Sequence, residues 1–279
     1  MAAVPSNKTA ISAVCEPGFH ARLSPSGAER WLYCTAAPAA EAQYPDSSTE
    51  FAAEGTAAHE LSEYCLRGDY MPGHRYGDII KVVEVDATYS FKVDKDMISH
   101  VTKYITYVRD VTKLFVDPVV LIEKRVYYKS ISHDGSGTAD AIIYGRLKET
   151  GKFVIWVIDL KYGKGVPVYP DDNPQAQLYA LGAVETYYWD FPEEPDEIRV
   201  TIHQPRLDGE KTWTTNWADL QQFAVKAKAA VDIIDSGKGV FVPTDKGCQF
   251  CRHRKNCVAR AKANTAALKL RFAEDDYND

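Results

Sequence analysis

The chain has 279 residues, 33 Lys and Arg against 39 Asp and Glu, and a formal net charge of −6, with 45% hydrophobic and 26% charged residues. That balance excludes a low-complexity chain, and its sign excludes a protein that coats nucleic acid over its whole surface. No apolar run approaches the ~20 residues needed to cross a bilayer, and residues 1–13 lack a charged segment followed by an apolar one, so a cytoplasmic protein with no membrane partner is expected.

Residues 1–22 are small, polar and aperiodic and read as a flexible lead-in, with one domain expected over 23–273 and an acidic tail over 274–279. Ser24-Pro25-Ser26 supplies capping and first-turn chemistry for a short helix carrying Trp31, Leu32 and Cys34. From Phe51 the residues are helix formers, with Ala58, Leu61 and Cys65 at helical spacing and His59 on a different face. Gly68 to Gly77 break that helix. A second helix is predicted over 95–114, where Met97, Val101, Tyr104, Ile105, Val108, Val111 and Leu114 recur with a period near 3.6.

Residues 119–128 are rich in β-branched and aromatic types, and a turn at 133–137 leads into a strand over 138–144, which is a hairpin signal. Residues 153–160 are almost continuously apolar, as in a strand covered on both faces. Asn173-Pro174 opens a helix through roughly Trp189, and a strand over 198–204 completes a βαβ crossover, whose strands are parallel. An amphipathic helix over 217–234 carries Leu220, Phe223, Ala227, Val231 and Ile234 on one side. A cysteine motif and a basic helix follow. Eight Lys and Arg residues from Lys246 to Arg271 meet few acids before Glu274, which makes this segment a local basic surface or a solvated helix face.

The apolar strand ends in Asp159-Leu160-Lys161, and side chains two apart on a strand share a face. The pair could be a surface ion pair at the exposed strand end. Asp140, at the start of the neighbouring strand, brings a second carboxylate beside it. Two carboxylates suit a hard divalent ion such as Mg²⁺ or Mn²⁺, whose shell water and a substrate phosphate complete. Glu123, on the strand before, is either an outer support of that shell or an edge ion pair with Lys124 or Arg125. Gln175 and Tyr179, four apart, share one helical face.

Cys248-Gln249-Phe250-Cys251 with Cys257 is too compact a set of thiols for anything but a loop wrapping a metal or cluster. The fourth ligand comes from among Cys34, Cys15, Cys65 and His253; zinc held by three cysteines and His253 is the alternative to a cluster.

A hairpin with Asp140 followed by an apolar strand ending in D-x-K resembles the PD-(D/E)XK nuclease core. His59 on an early helix and Gln175-Ala176-Gln177-Leu178-Tyr179 after the strand match, in order, two further marks of the RecB-like branch, including its phage-encoded exonucleases. The resemblance implies an α/β fold with a mixed central sheet flanked by helices. It also implies a metal-dependent DNA exonuclease acting on ends or single strands in phage or bacterial recombination or repair, partnered with a single-strand annealing or recombination protein in a bacterial host cell.

His59, Asp140, Asp159 and the Leu160 carbonyl would hold one or two Mg²⁺ or Mn²⁺ ions; Lys161 would orient water or stabilise charge, with Gln175 and Tyr179 beside the DNA backbone. The AddB-type relatives further imply a [4Fe-4S] cluster on Cys34, Cys248, Cys251 and Cys257 that ties the helical N-terminal and C-terminal segments together, with Cys15 and Cys65 as ordinary thiols. A structure-selective endonuclease and a non-catalytic nucleic-acid-binding recombination module are the alternatives.

Overall fold

The computed structural model describes residues 22–45, 49–85, 87–207 and 209–275. The expected lead-in before Arg22, Cys15 and the end of the expected acidic tail lie outside these residues. A 3-10 turn over Pro25–Gly27 runs into a single helical turn, α1 (Ala28–Trp31), followed by α2 (Ala37–Glu41). Because α1 stops at Trp31, Cys34 stands on the connection after it rather than on the expected helix. Helix α3 (Glu50–Gly68) starts where the Thr49 side chain accepts the Ala52 N–H at 3.2 Å. Its Ala58, Leu61 and Cys65 stripe is buried.

A two-stranded antiparallel hairpin, β1 (Ile79–Val83) and β2 (Thr88–Lys92), precedes α4 (Lys95–Lys113) and is absent from the sequence-based reading. Only Ile80 and Val82 of β1 are buried, a signal too short to stand out from charged neighbours. Asp94 caps α4 by accepting the Met97 N–H at 2.9 Å. The predicted stripe from Met97 to Val111 is buried, while Leu114 is half exposed beyond the last turn.

The central sheet comprises β3 (Phe115–Tyr127), β4 (Ser136–Leu147), β5 (Phe153–Leu160), β6 (Glu197–Gln204) and β7 (Gly209–Thr215), in that spatial order. β5 and β6 are parallel and the other neighbours antiparallel, so the sheet is mixed. β3 begins four residues before the expected start and runs past Pro118, where the pairing register shifts between Val116 and Val119 because proline donates no ladder bond. β4 extends both ways beyond 138–144, which moves Asp140 from the start of a strand into its interior. β7 was not anticipated.

Helix α5 (Pro174–Tyr187), capped by the Asn173 side chain, makes the crossover from β5 to β6; it ends before Trp189, in a 3-10 turn. α6 (Trp217–Asp235), α7 (Asp245–Gln249) and α8 (Val258–Asp275) complete the described chain, α8 running into the expected acidic tail. Every residue of β5 is buried. Phe153, Ile155 and Val157 pack with Trp31 and residues of α5 and α6 on one face. Val154, Trp156 and Ile158 pack with α3, α4 and the hairpin on the other. This two-faced burial makes β5 the rigid centre on which the site is built. Among the described residues no helix is long and apolar enough to cross a membrane.

Candidate functional site

Sheet register alone places three carboxylates in a row. Glu123 on β3 lies opposite Asp140 on β4, between the paired Ile122–Ala141 and Lys124–Ala139; Asp140 lies opposite Asp159 on β5, one step beyond Ala141–Ile158. Side chains directly opposite on neighbouring strands are close enough to interact. Glu123 has a left-handed backbone, φ 48°, a conformation that a non-glycine residue rarely adopts inside a strand. Arg67 of α3 holds this kink, donating to the Ile122 carbonyl at 3.1 Å while its other nitrogen pairs with Glu63 at 2.8 Å.

The next turn of α3 toward its N-terminus brings in His59, whose Nδ1 lies 3.3 Å from Asp140 Oδ1 and 3.7 Å from Glu123 Oε1. Ligand atoms of His59, Glu123 and Asp140 all fall within 4.8 Å of one another, and among the described residues this is the group placed to hold a metal ion. The expected set was His59, Asp140, Asp159 and the Leu160 carbonyl. Glu123 stands beside His59 and Asp140 in that group, and it makes no edge pair with Arg125, whose guanidinium instead donates to Ser136 at 2.7 Å. Leu160 meets the site through its N–H, which donates to Asp140 Oδ2 at 2.6 Å.

Asp159 is buried, which removes the alternative of a surface ion pair at an exposed strand end. Lys161 Nζ lies 3.2 Å from its Oδ1, as a hydrogen bond, and 2.9 Å from its Oδ2. The second contact is an ion-pair approach with poor hydrogen-bond geometry, and Oδ2 has no hydrogen-bond partner. Burial raises the Asp159 pKa; Lys161 opposes this and Asp140 adds to it. Burial likewise raises Glu123, with His59 opposing and Asp140 adding. Burial alone would raise Asp140 too, but His59, the Leu160 N–H and Lys161 together hold it below its usual value. For His59, burial favours the neutral ring, yet Asp140 and Glu123 outweigh it and hold the pKa well above the ordinary range.

Tyr179 and Gln175 project from α5 toward the same site. Burial raises the Tyr179 pKa, the charges of Asp159 and Asp140 add to it, and a hydrogen bond with the Gln175 side chain opposes it. A Cβ at Gly137 would come within 2.6 Å of Pro25 Cγ and 3.0 Å of Tyr179 Cε1, so the absence of a side chain there lets the N-terminal turn and α5 close over β4. Tyr104 of α4 is marked in the sequence only as part of the buried stripe, not as a neighbour of the site. Its hydroxyl has no hydrogen-bond partner, and burial followed by Asp140, Glu123 and Asp159 raises its pKa well above the ordinary value.

The four predicted cysteines line one cavity where the two ends of the domain meet, together with Phe241, Pro243 and His253. Cys34 Sγ accepts the Val242 N–H and Cys257 Sγ accepts the Arg260 N–H, each at 3.4 Å. Burial raises the Cys34 pKa, with Cys248 and Cys257 as further causes. Burial also raises Cys251, with Glu41 and Cys248 contributing. The joint is braced by Glu41, which accepts from Arg30 Nε at 3.0 Å and from the Arg252 N–H at 2.9 Å. His253 Nδ1 lies 3.0 Å from the Tyr44 hydroxyl, and its ring stacks on Phe241. Cys65 lies apart in the α3 core.

Fold and site together define a mixed α/β protein whose five-stranded sheet carries a buried acidic centre able to hold a metal, and whose ends meet at a four-thiol cavity. The chain belongs to the family described as "Protein of unknown function (DUF2800)", which matches residues 20–277. A solved structure described as "Crystal structure of SSO0001" is similar at 13% identity, over 82% of this chain and 83% of that one, with a TM-score of 0.32. A likeness at that level defines neither the fold nor the chemistry.

Proposed function

We propose that this protein is a metal-dependent deoxyribonuclease of the RecB-like PD-(D/E)XK type that hydrolyses phosphodiester bonds at DNA ends or in single strands. The observation that carries the reading is the row Glu123, Asp140 and Asp159 across three adjacent strands, flanked by His59 and Lys161.

The residues fit a hard divalent cation such as Mg²⁺ or Mn²⁺. The donor set of His59, Glu123 and Asp140 is carboxylate-rich with one imidazole, and mutual repulsion among the acids favours a positive charge between them. When bound, such an ion lowers the pKa of a coordinated water and offsets charge on the phosphorane-like transition state. The chain's own residues do the positioning. The Leu160 N–H and His59 fix Asp140. The Asp159 carboxylate holds the Lys161 ammonium, which orients the attacking water or stabilises developing negative charge. Gln175 and Tyr179 form the wall that faces the strand being cut.

We read the cysteine cavity as the site of a [4Fe-4S] cluster with a mechanical role. Four thiolates are the ligand set of such a cluster, and Cys34, Cys248, Cys251 and Cys257 all line the one cavity. Iron content and visible absorption of anaerobically purified protein test this assignment. The nuclease reading is tested by supplying Mn²⁺ and end-labelled linear or circular single-stranded DNA. Loss of linear DNA alone identifies exonuclease action, cleavage of the circle identifies an endonuclease, and two intact substrates remove the reading.

A further inference from the structure

Residues 162–173 join the Lys161 end of β5 to α5 and are braced at several points. Tyr162 is buried under the Arg206 guanidinium, 4.7 Å from its ring centroid, and Arg206 pairs with Glu54 at 3.0 Å and Asp96 at 3.2 Å. Gln204, buried at the end of β6, accepts the Val168 N–H at 2.7 Å and donates to the Val166 carbonyl at 3.1 Å. Asn173 donates to the Tyr169 carbonyl at 3.1 Å, and Lys211 Nζ sits 4.4 Å from the Tyr169 ring centroid.

Between the first two braces stand Gly163, Lys164 and Gly165, all exposed. A Cβ on either glycine would meet nothing within 4 Å, so the backbone here faces open space. Among the described residues Lys164 has no hydrogen-bond or ion-pair partner, in contrast to Lys161. Three residues of chain span at most about 11 Å, so the Lys164 backbone lies within about that distance of Lys161.

We propose that Lys164 contacts a phosphodiester of the substrate strand next to the scissile one, with Gln204 as the positioning residue that sets its loop. The proposal rests on the nuclease reading of the same site and assigns its backbone contact. A buried amide whose donor and acceptor are both used by an exposed loop holds that loop in one conformation. Two glycines beside the lysine remove the side chains that would keep a nucleic-acid backbone at a distance. The flexible ammonium suits a point contact with phosphate.

The test is binding of short end-labelled single-stranded and duplex DNA across a salt titration, using full-length Asp159→Asn protein so that binding is read without cleavage. Each phosphate contact contributes about 0.7 to the salt slope on single strands and about 0.9 on duplex. Lys164→Ala is expected to lower the slope by about that amount, and Lys164→Arg to preserve it. Gln204→Leu should weaken binding, and the Gln204→Leu, Lys164→Ala double variant should bind no more weakly than the weaker single variant, because both remove one contact. An unchanged slope in Lys164→Ala, with wild-type protein still cutting DNA, overturns the contact and leaves the nuclease reading standing. Absence of both binding and wild-type cleavage removes that reading and the contact with it.

Discussion

The acidic row and the cysteine cavity are built on opposite principles. The row is contributed by three adjacent strands, and its geometry follows from sheet register, a kink at Glu123 and hydrogen bonds from the sheet backbone. The cavity is contributed by segments more than 200 residues apart in sequence, on short helices and connections that have little core of their own. A site on a rigid sheet can be altered residue by residue while its scaffold survives. A joint between two chain ends transmits the loss of any ligand to the whole boundary, because binding there is also folding free energy.

The sharpest way to break this comparison is to remove one member of each site. Asp159→Ala and Lys161→Ala should each reduce Mn²⁺-dependent cleavage on the order of 10³-fold, as loss of transition-state charge stabilisation does, while circular dichroism shows a folded protein. Cys257→Ser should do the converse. Iron content and visible absorption fall, limited proteolysis releases the N-terminal helices, and the unfolding temperature drops by more than for either sheet variant. Equal destabilisation by Asp159→Ala and Cys257→Ser would erase the distinction.

His203 sharpens it from behind the sheet. Its ring lies against Tyr104 and Tyr107, and burial, assisted by the charge of Lys103, pushes its pKa from 6.5 down to about 4. Between those values the unfolded chain takes up a proton that the folded protein refuses. The neutral ring's full contribution is thus present above pH 6.5 and is lost as pH falls toward 4. A depression of that size corresponds to on the order of 3 kcal/mol. Denaturant unfolding across this range should show that slope in wild-type protein and a shallower one in His203→Asn.

Gly137→Ala is expected to have the smallest effect on stability. The added methyl meets Pro25 and Tyr179, and overpacking of this kind costs about 1–3 kcal/mol. Because Tyr179 must give way, cleavage should fall by more than the stability change accounts for, measured as kcat/KM beside the unfolding free energy. A variant that is less stable but fully active would assign Gly137 to the joint rather than to the acidic site.

Much of the architecture was legible in the chain. The unbroken apolar run of β5, the period of α4 and the Asn173-Pro174 start of α5 are local patterns, and local patterns report which faces must be covered. They also identified Asp140, Asp159 and Lys161 as close neighbours and Cys248, Cys251 and Cys257 as a set, while only the family resemblance pointed to Cys34, the fourth thiol lining their cavity. The hairpin of β1 and β2 and the edge strand β7 escaped because their alternation is short and only half buried.

What tertiary structure alone decided is which side chain faces which. Glu123 enters the His59 group through a left-handed turn inside a strand, held by Arg67 from the same helix as His59, and no spacing in the sequence encodes that rotation. Tyr104 comes to lie near the acidic row, and Gln204 comes to pin the loop carrying Lys164, only when α4 and β6 pack around the end of β5. Periodicity specifies the face of an element. The partners of that face, and with them the charges and orphaned atoms of the acidic centre, follow from register and packing across residues remote in the chain.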